Sequence, residues 1–100
     1  MEGRLHWVWT DEKNRTNKID HGLSFETAKF VFDDPLALTR HDPHPDGDRW
    51  QTLGVVGAVT LFVVHTWPES DEGTGDEVGR IISARKATPH ERRAYEEGDF

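Results

Sequence analysis

Cysteine is absent from this 100-residue chain, so neither disulfides nor thiolate chemistry enters its fold or its function. Long apolar runs are absent as well. The longest, LGVVGAVTLFVV from Leu53 to Val64, is about half of what a bilayer span requires. The amino end, MEGRLHWVWTDEK, has no apolar core of the kind a secretory signal carries, which leads to the expectation of a soluble, cytoplasmic protein. Positive charge is scarce: 12 Lys and Arg stand against 19 Asp and Glu, for a formal charge of −7. Apolar residues make up only 34% of the chain, yet four Trp and five Phe supply bulk for a thin core. A chain of this length forms one domain, here residues 1–100, and buries roughly two-thirds of its unfolded surface.

What is present has an order. RLHWVW alternates, with Leu5, Trp7 and Trp9 on one face, and predicts a strand with one buried side. Thr10-Asp11-Glu12 then starts a helix that Gly22 ends, and Ile19 is almost its only apolar residue. Ser24 caps a second helix with Leu23 as its staple, and Phe25, Ala28 and Phe32 form its core face up to Asp33-Asp34-Pro35. LALTRH (36–41), RWQTLGVV (49–56), VTLFVVHTW (59–67) and RIISARKA (80–87) predict four strands, with a tight turn at Gly57-Ala58. PESDEGTGDE between the last two reads as a solvated acidic loop. Thr88 and Glu91 make a capping box, with Pro89 at the first helical position. The predicted order, β-α-α-β-β-β-β-α with hairpin-length links, is an α+β fold on an antiparallel sheet.

Three groups of residues bear on chemistry. Asn14, Asn17, Lys18 and His21 share one face of the first helix, either as a solvent-facing stripe or as a surface for phosphate or a base edge. Arg80, Arg85, Lys86, Arg92 and Arg93 cluster around a single acid, Glu91. Strict alternation would place Arg80, Ile82, Ala84 and Lys86 on one face and Ile81, Ser83, Arg85 and Ala87 on the other. Such cations either hold phosphate or pair with Glu91, Glu96 and Glu97. HDPHPDGDRW imitates the first half of a calcium loop through Asp42, His44, Asp46, Gly47 and Asp48. Its twelfth position is Leu53 rather than Glu, so turn chemistry is the better reading and no metal is expected. No nucleophile elbow, P-loop or dinucleotide fingerprint occurs, and the scattered histidines assemble no hydrolase triad.

KNRTNKIDHGLSFETA, VFDDP, DRWQTLG and RIISARKATPHERRAYE, in this order along nearly the whole chain, resemble the BrnT family of toxins. The resemblance implies a compact RelE-like fold, a curved antiparallel sheet with helices on one side. It also implies RNA cleavage without metal or other cofactor, which blocks translation. The implied partner is a BrnA-like antitoxin carrying a DNA-binding domain, through which the pair would bind operator DNA and repress its operon. Toxin dimerisation within that complex follows by the same analogy, while the short apolar runs lead to the expectation of no membrane association. Cleavage by a neighbouring 2′-hydroxyl needs proton transfer and cations around the phosphate. The resemblance accordingly points to His21 as general acid or base and to Arg49, Arg80, Arg85 and Lys86 as phosphate and transition-state groups. Asn17, Lys18, Glu26 and Tyr95 are expected to contact RNA or orient a neighbour, as is Glu91, although its cap already explains it.

Overall fold

The computed structural model describes residues 3–100. In chain order its elements are β1 (Leu5–Val8), α1 (Asp11–His21), α2 (Phe25–Ala28), a 3-10 helix (Lys29–Asp33), β2 (Leu38–His41), β3 (Trp50–Val56), β4 (Val59–His65), β5 (Glu69–Ser70), β6 (Glu77–Lys86) and α3 (Pro89–Glu97). The sheet runs β1-β6-β4-β3-β2, with β5 paired to β6. It is an α+β fold in the expected order, with one strand more.

Local chemistry accounts for most boundaries. The Thr10 hydroxyl accepts from Lys13 N to start α1, and Gly22, at φ 65°, closes it with a bond to the Lys18 carbonyl. Ser24 caps α2, and the full capping box at Thr88–Glu91 starts α3. Gly57, at φ 64°, opens the β3–β4 hairpin. Three expectations are corrected. First, β1 pairs with β6 in parallel, because the whole chain between them crosses over before β6 returns beside β1. Second, the acidic loop contains β5, whose Glu69 and Ser70 pair with Val78 and Glu77. Third, the second helix tightens after Ala28 into the 3-10 helix, which turns Val31 fully into the core.

Alternation along β4 feeds two cores. Leu61 and Val63 join Phe25, Ala28, Val31, Ile81 and Ala84 beneath α2 and the 3-10 helix. Phe62 and Val64 join Leu53 on the opposite face, where Ala94, Tyr95 and Phe100 cover them. Helices therefore lie on both faces of the sheet rather than on one side. Each fully buried side chain of this size contributes about 1.5–3 kcal/mol. Gly54 is required where the 3-10 helix crosses β3: a Cβ there would lie 2.9 Å from the Val31 carbonyl oxygen.

β6 carries the feature that reorders the molecule. Val64 pairs with Ser83 but His65 pairs with Ile81, so Ile82 is the extra residue of a β-bulge. The bulge breaks strict alternation. Ile81 and Ala84 both enter the first core, while Ile82 and Ala87 belong to the second. Beyond Arg80, where β1 ends, the outer edge of β6 is taken by α1. No apolar stripe holds this helix. The Asn17 amide donates Nδ2 to the carbonyls of Ala84 and Leu23, each at 2.8 Å, and its Oδ1 accepts Ala84 N at 3.1 Å. Asn14 donates Nδ2 to Glu26 and accepts Phe25 N, both at 2.8 Å. Both amides are buried. This part of the helical face points inward, not to solvent, and Ile19 is the side chain left in water at 78% exposure.

His65 is buried edge-on against the stacked rings of Trp7 and Phe32. Its Nδ1 donates to the Thr66 carbonyl at 2.8 Å, which leaves Nε2 to accept the Thr52 hydroxyl at 2.6 Å, and Thr52 in turn meets Thr39 at 2.8 Å. Burial lowers the pKa of His65 below its ordinary 6.5, against smaller upward contributions from the Thr66 carbonyl and Asp48.

Two outcomes follow from these buried polar groups. Asn17→Asp is isosteric but turns an oxygen toward two carbonyls, and should cost about 3 kcal/mol near neutral pH, lowering the melting midpoint by roughly 10–20 °C. A midpoint within about 5 °C of wild type would show that the amide does not hold α1. Because folded His65 resists protonation, its contribution is complete above pH 6.5 and declines as pH falls below 6.5, where the unfolded chain binds the proton first. The stability advantage of wild type over His65→Asn should therefore shrink between pH 7.5 and 5.5 in paired denaturant melts. An unchanged difference would contradict a neutral buried imidazole.

Candidate nucleic-acid interface

The bulge decides which cations share a surface. Arg80 lies opposite Ile81 in the alternation, and Arg85, two residues before Ala87, sits directly across from Phe62. Both therefore fall on the face that carries α3, correcting the separation that strict alternation gives. Lys86 falls on the other face and is exposed. Arg40 lies two residues beyond Leu38, the partner of Leu53, and Gln51 two residues before Leu53, so both join the α3 face. Arg49 sits in the turn just before β3, where its N–H bonds the Gly47 carbonyl. Arg80 and Arg85 of β6 and Arg40 of β2 thus share one face, with Arg49 just ahead of β3.

These arginines are held differently. Arg85 makes a bidentate pair with Glu91, at 2.7 and 2.9 Å, and its guanidinium lies 4.1 Å from the centre of the Phe62 ring. Glu91 also accepts Thr88 N, so one carboxylate both caps α3 and clamps Arg85. Burial pushes the pKa of Glu91 up, but the Arg85 and Thr88 hydrogen bonds outweigh this and hold it below the usual range; Arg85 is raised by the same partner. Arg40 stacks 4.0 Å from the centre of the Phe100 ring and donates Nε to Gln51 at 2.7 Å, and Gln51 donates to Asp42 at 2.9 Å. Arg49 is half-buried, with its Nε enclosed and without a partner among the described residues. Arg80 is exposed and forms no ion pair among them.

His21 ends α1 and is exposed in a cleft of about 470 Å³, shared with Lys13, Asn17, Asp20, Ile82 and Ser83. Ser83 faces the same side as its partner Val64, so this cleft meets the arginine face at the bulge. Arg80 opens instead into a neighbouring cleft with Thr66, Trp67 and Asp48. Lys18 is exposed on α1. Asn17 is committed to backbone, as described above, and Glu26 is held below its ordinary pKa chiefly by the Asn14 amide.

Tyr95 donates its hydroxyl to Asp34 Oδ2 at 2.5 Å, which pushes the phenol up to about 12. Asp34 also accepts Val55 N and Leu36 N. Burial raises its pKa, but the three hydrogen bonds prevail and hold it low. Asp34, Arg40 and Gln51 are the residues that sequence reasoning passed over. Asp34 was visible only as a helix stop, while the outward period of LALTRH and RWQTLG could have paired Arg40 with Gln51.

Hydrogen bonds hold the loop that imitates a calcium site. Asp42 accepts from Gln51, His44 Nδ1 accepts Asp46 N at 3.1 Å, and Asp48 Oδ1 accepts Trp67 N at 3.0 Å. Among the described residues no three His, Asp or Glu side chains converge as a metal-binding group. Nor is any described helix long and apolar enough to cross a membrane.

Residues 9–91 match the family described as the ribonuclease toxin, BrnT, of type II toxin–antitoxin systems. No curated protein matches the chain. The match covers most of the sequence and takes in α1, the bulged β6 and the start of α3. The chain belongs to the BrnT family of ribonuclease toxins.

Proposed function

We propose that this protein is a metal-independent endoribonuclease toxin that acts in the cytoplasm, blocks translation by cutting RNA, and is neutralised by a BrnA-like antitoxin. The observation that carries the reading is the arginine face beside α3, bordered at the bulge by the His21 cleft. Cleavage by the neighbouring 2′-hydroxyl asks for one group to move a proton and for cations where negative charge builds on the phosphorus oxygens. His21, exposed at the end of α1, takes the proton-transfer role. Arg80 and Arg49, free of ion pairs among the described residues, contact the phosphate, and Arg85 joins them from its place over Phe62. Lys86 and Lys18, on the margins, contribute to RNA attraction rather than to the reacting phosphate. Asn17, Glu26 and Tyr95 support the site through the backbone, Asn14 and Asp34 respectively. The antitoxin would mask this face, carry the DNA-binding domain that brings the pair to its operator, and hold two toxin copies in the complex.

Two observations favour a second reading, a docking module of the same fold without catalysis: Glu91 already occupies Arg85, and the chain as a whole is acidic. Induced expression separates the two. Wild type should arrest growth, and the purified protein should cut labelled RNA in the presence of chelator. His21→Ala and Arg80→Ala, still folded, should each lose roughly 100-fold in cleavage rate. A folded wild type that leaves both growth and RNA intact would refute the enzyme and favour the docking module. Cleavage abolished by chelator would refute metal independence.

A further inference from the structure

Of the four tryptophans, Trp7, Trp9 and Trp50 are half-buried, while Trp67 is 52% exposed. A surface tryptophan forgoes much of the burial that makes the residue useful inside a protein. Trp67 is nonetheless held firmly. One part of it meets Trp50, with ring centres 4.7 Å apart at 51°, and Trp50 in turn meets His41 edge-on at 5.1 Å. Its backbone N–H is bound by Asp48, and Pro68 restricts its backbone to extended conformations. The preceding residue, Thr66, exchanges two 2.9 Å bonds with Arg80: Thr66 N to the Arg80 carbonyl, and Arg80 N to Thr66 Oγ1. Trp67 and Arg80 therefore stand at a fixed spacing in one cleft of about 310 Å³, with Val8, Asp48 and Glu69 also in its lining.

We infer that Trp67 is a nucleobase-stacking platform for single-stranded RNA, working with Arg80 as the phosphate contact of the same nucleotide or its neighbour. The inference rests on the ribonuclease reading and adds to it a substrate form and a subsite. An exposed aromatic ring lining the same cleft as a guanidinium without an ion pair among the described residues suits the binding of single strands, since every base has a face that can stack. Asp48 and Glu69 in the same lining repel a phosphate, which leaves Arg80 as the cation of this cleft that can hold one. A duplex, whose bases are already stacked, offers nothing to Trp67.

The test uses a labelled, mixed-sequence 2′-O-methyl RNA of about eight nucleotides, which the protein can bind but not cut through a 2′-hydroxyl, with cleavage of the unmodified RNA measured in parallel. Trp67→Ala should weaken binding roughly 10-fold without altering its salt dependence, and Trp67→Phe should stay within about threefold of wild type. Arg80→Ala should weaken binding and flatten the dependence on salt by about one counterion. If wild type cuts RNA but Trp67→Ala binds the oligonucleotide equally well, the platform is refuted and the ribonuclease reading stands. If Trp67→Ala keeps RNA binding but changes the sedimentation of the protein, Trp67 belongs to a protein interface, which also refutes the platform. A wild type that neither binds nor cuts single-stranded RNA overturns both.

Discussion

The Asn17 side chain meeting the backbone of Ala84 is the contact on which the rest of the structure turns. β6 loses its neighbour when β1 stops at Arg80, and an open strand edge leaves backbone donors and acceptors unmatched. Asn17 presents one donor and one acceptor to Ala84 as an adjoining strand would, and its second amide hydrogen reaches Leu23 at the entry to α2. One amide thus seals the sheet edge, fixes the register of α1 along β6 and ties α1 to the next helix. The position of His21, one turn on, and of the cleft it lines follow from that single attachment.

α3 is attached by the same kind of contact. None of its side chains is fully buried. Glu91 and Tyr95, one turn apart, reach Arg85 on β6 and Asp34 beyond the 3-10 helix, while Ala94 and Tyr95 rest against the second core. The groups that position the arginine face are therefore largely the groups that hold the helix over it. Asp34 joins them because Gly54 lets the 3-10 helix press close enough to β3 for its carboxylate to take Val55 N. A change at Glu91 or Asp34 is at once a change in electrostatics and in the seating of α3.

The parts of this molecule legible in its sequence are those governed by near neighbours. Thr10, Ser24 and Thr88 announce helix starts, Gly22 announces a stop, and Gly57-Ala58 announces a hairpin, because each acts within four residues of itself. The bulge at Ile82 is different. It depends on how β6 meets the end of β4, and nothing in RIISARKA marks the residue that falls out of step. That single residue moves Arg80 and Arg85 to a common face and sends Lys86 to the other, so a site inferred from strict alternation was bound to be divided. Asn14 and Asn17 were visible as a stripe, but their burial was not, since their partners lie on Phe25, Glu26 and Ala84. The tightening after Ala28 likewise reflects tertiary packing of Val31 rather than local preference.

The polar seating of α1 has a consequence for how the protein comes apart. Ile19, almost the only apolar residue of this helix, already points to water, so lifting α1 from β6 uncovers amides, carbonyls and a short strand edge rather than greasy surface. Water can satisfy such groups at once, whereas a helix docked through leucines would leave a sticky scar when it moved away. Local opening of this segment therefore exposes little apolar surface. Its amide protons would then exchange with solvent ahead of those in β3 and β4, and partial opening would carry little tendency to aggregate.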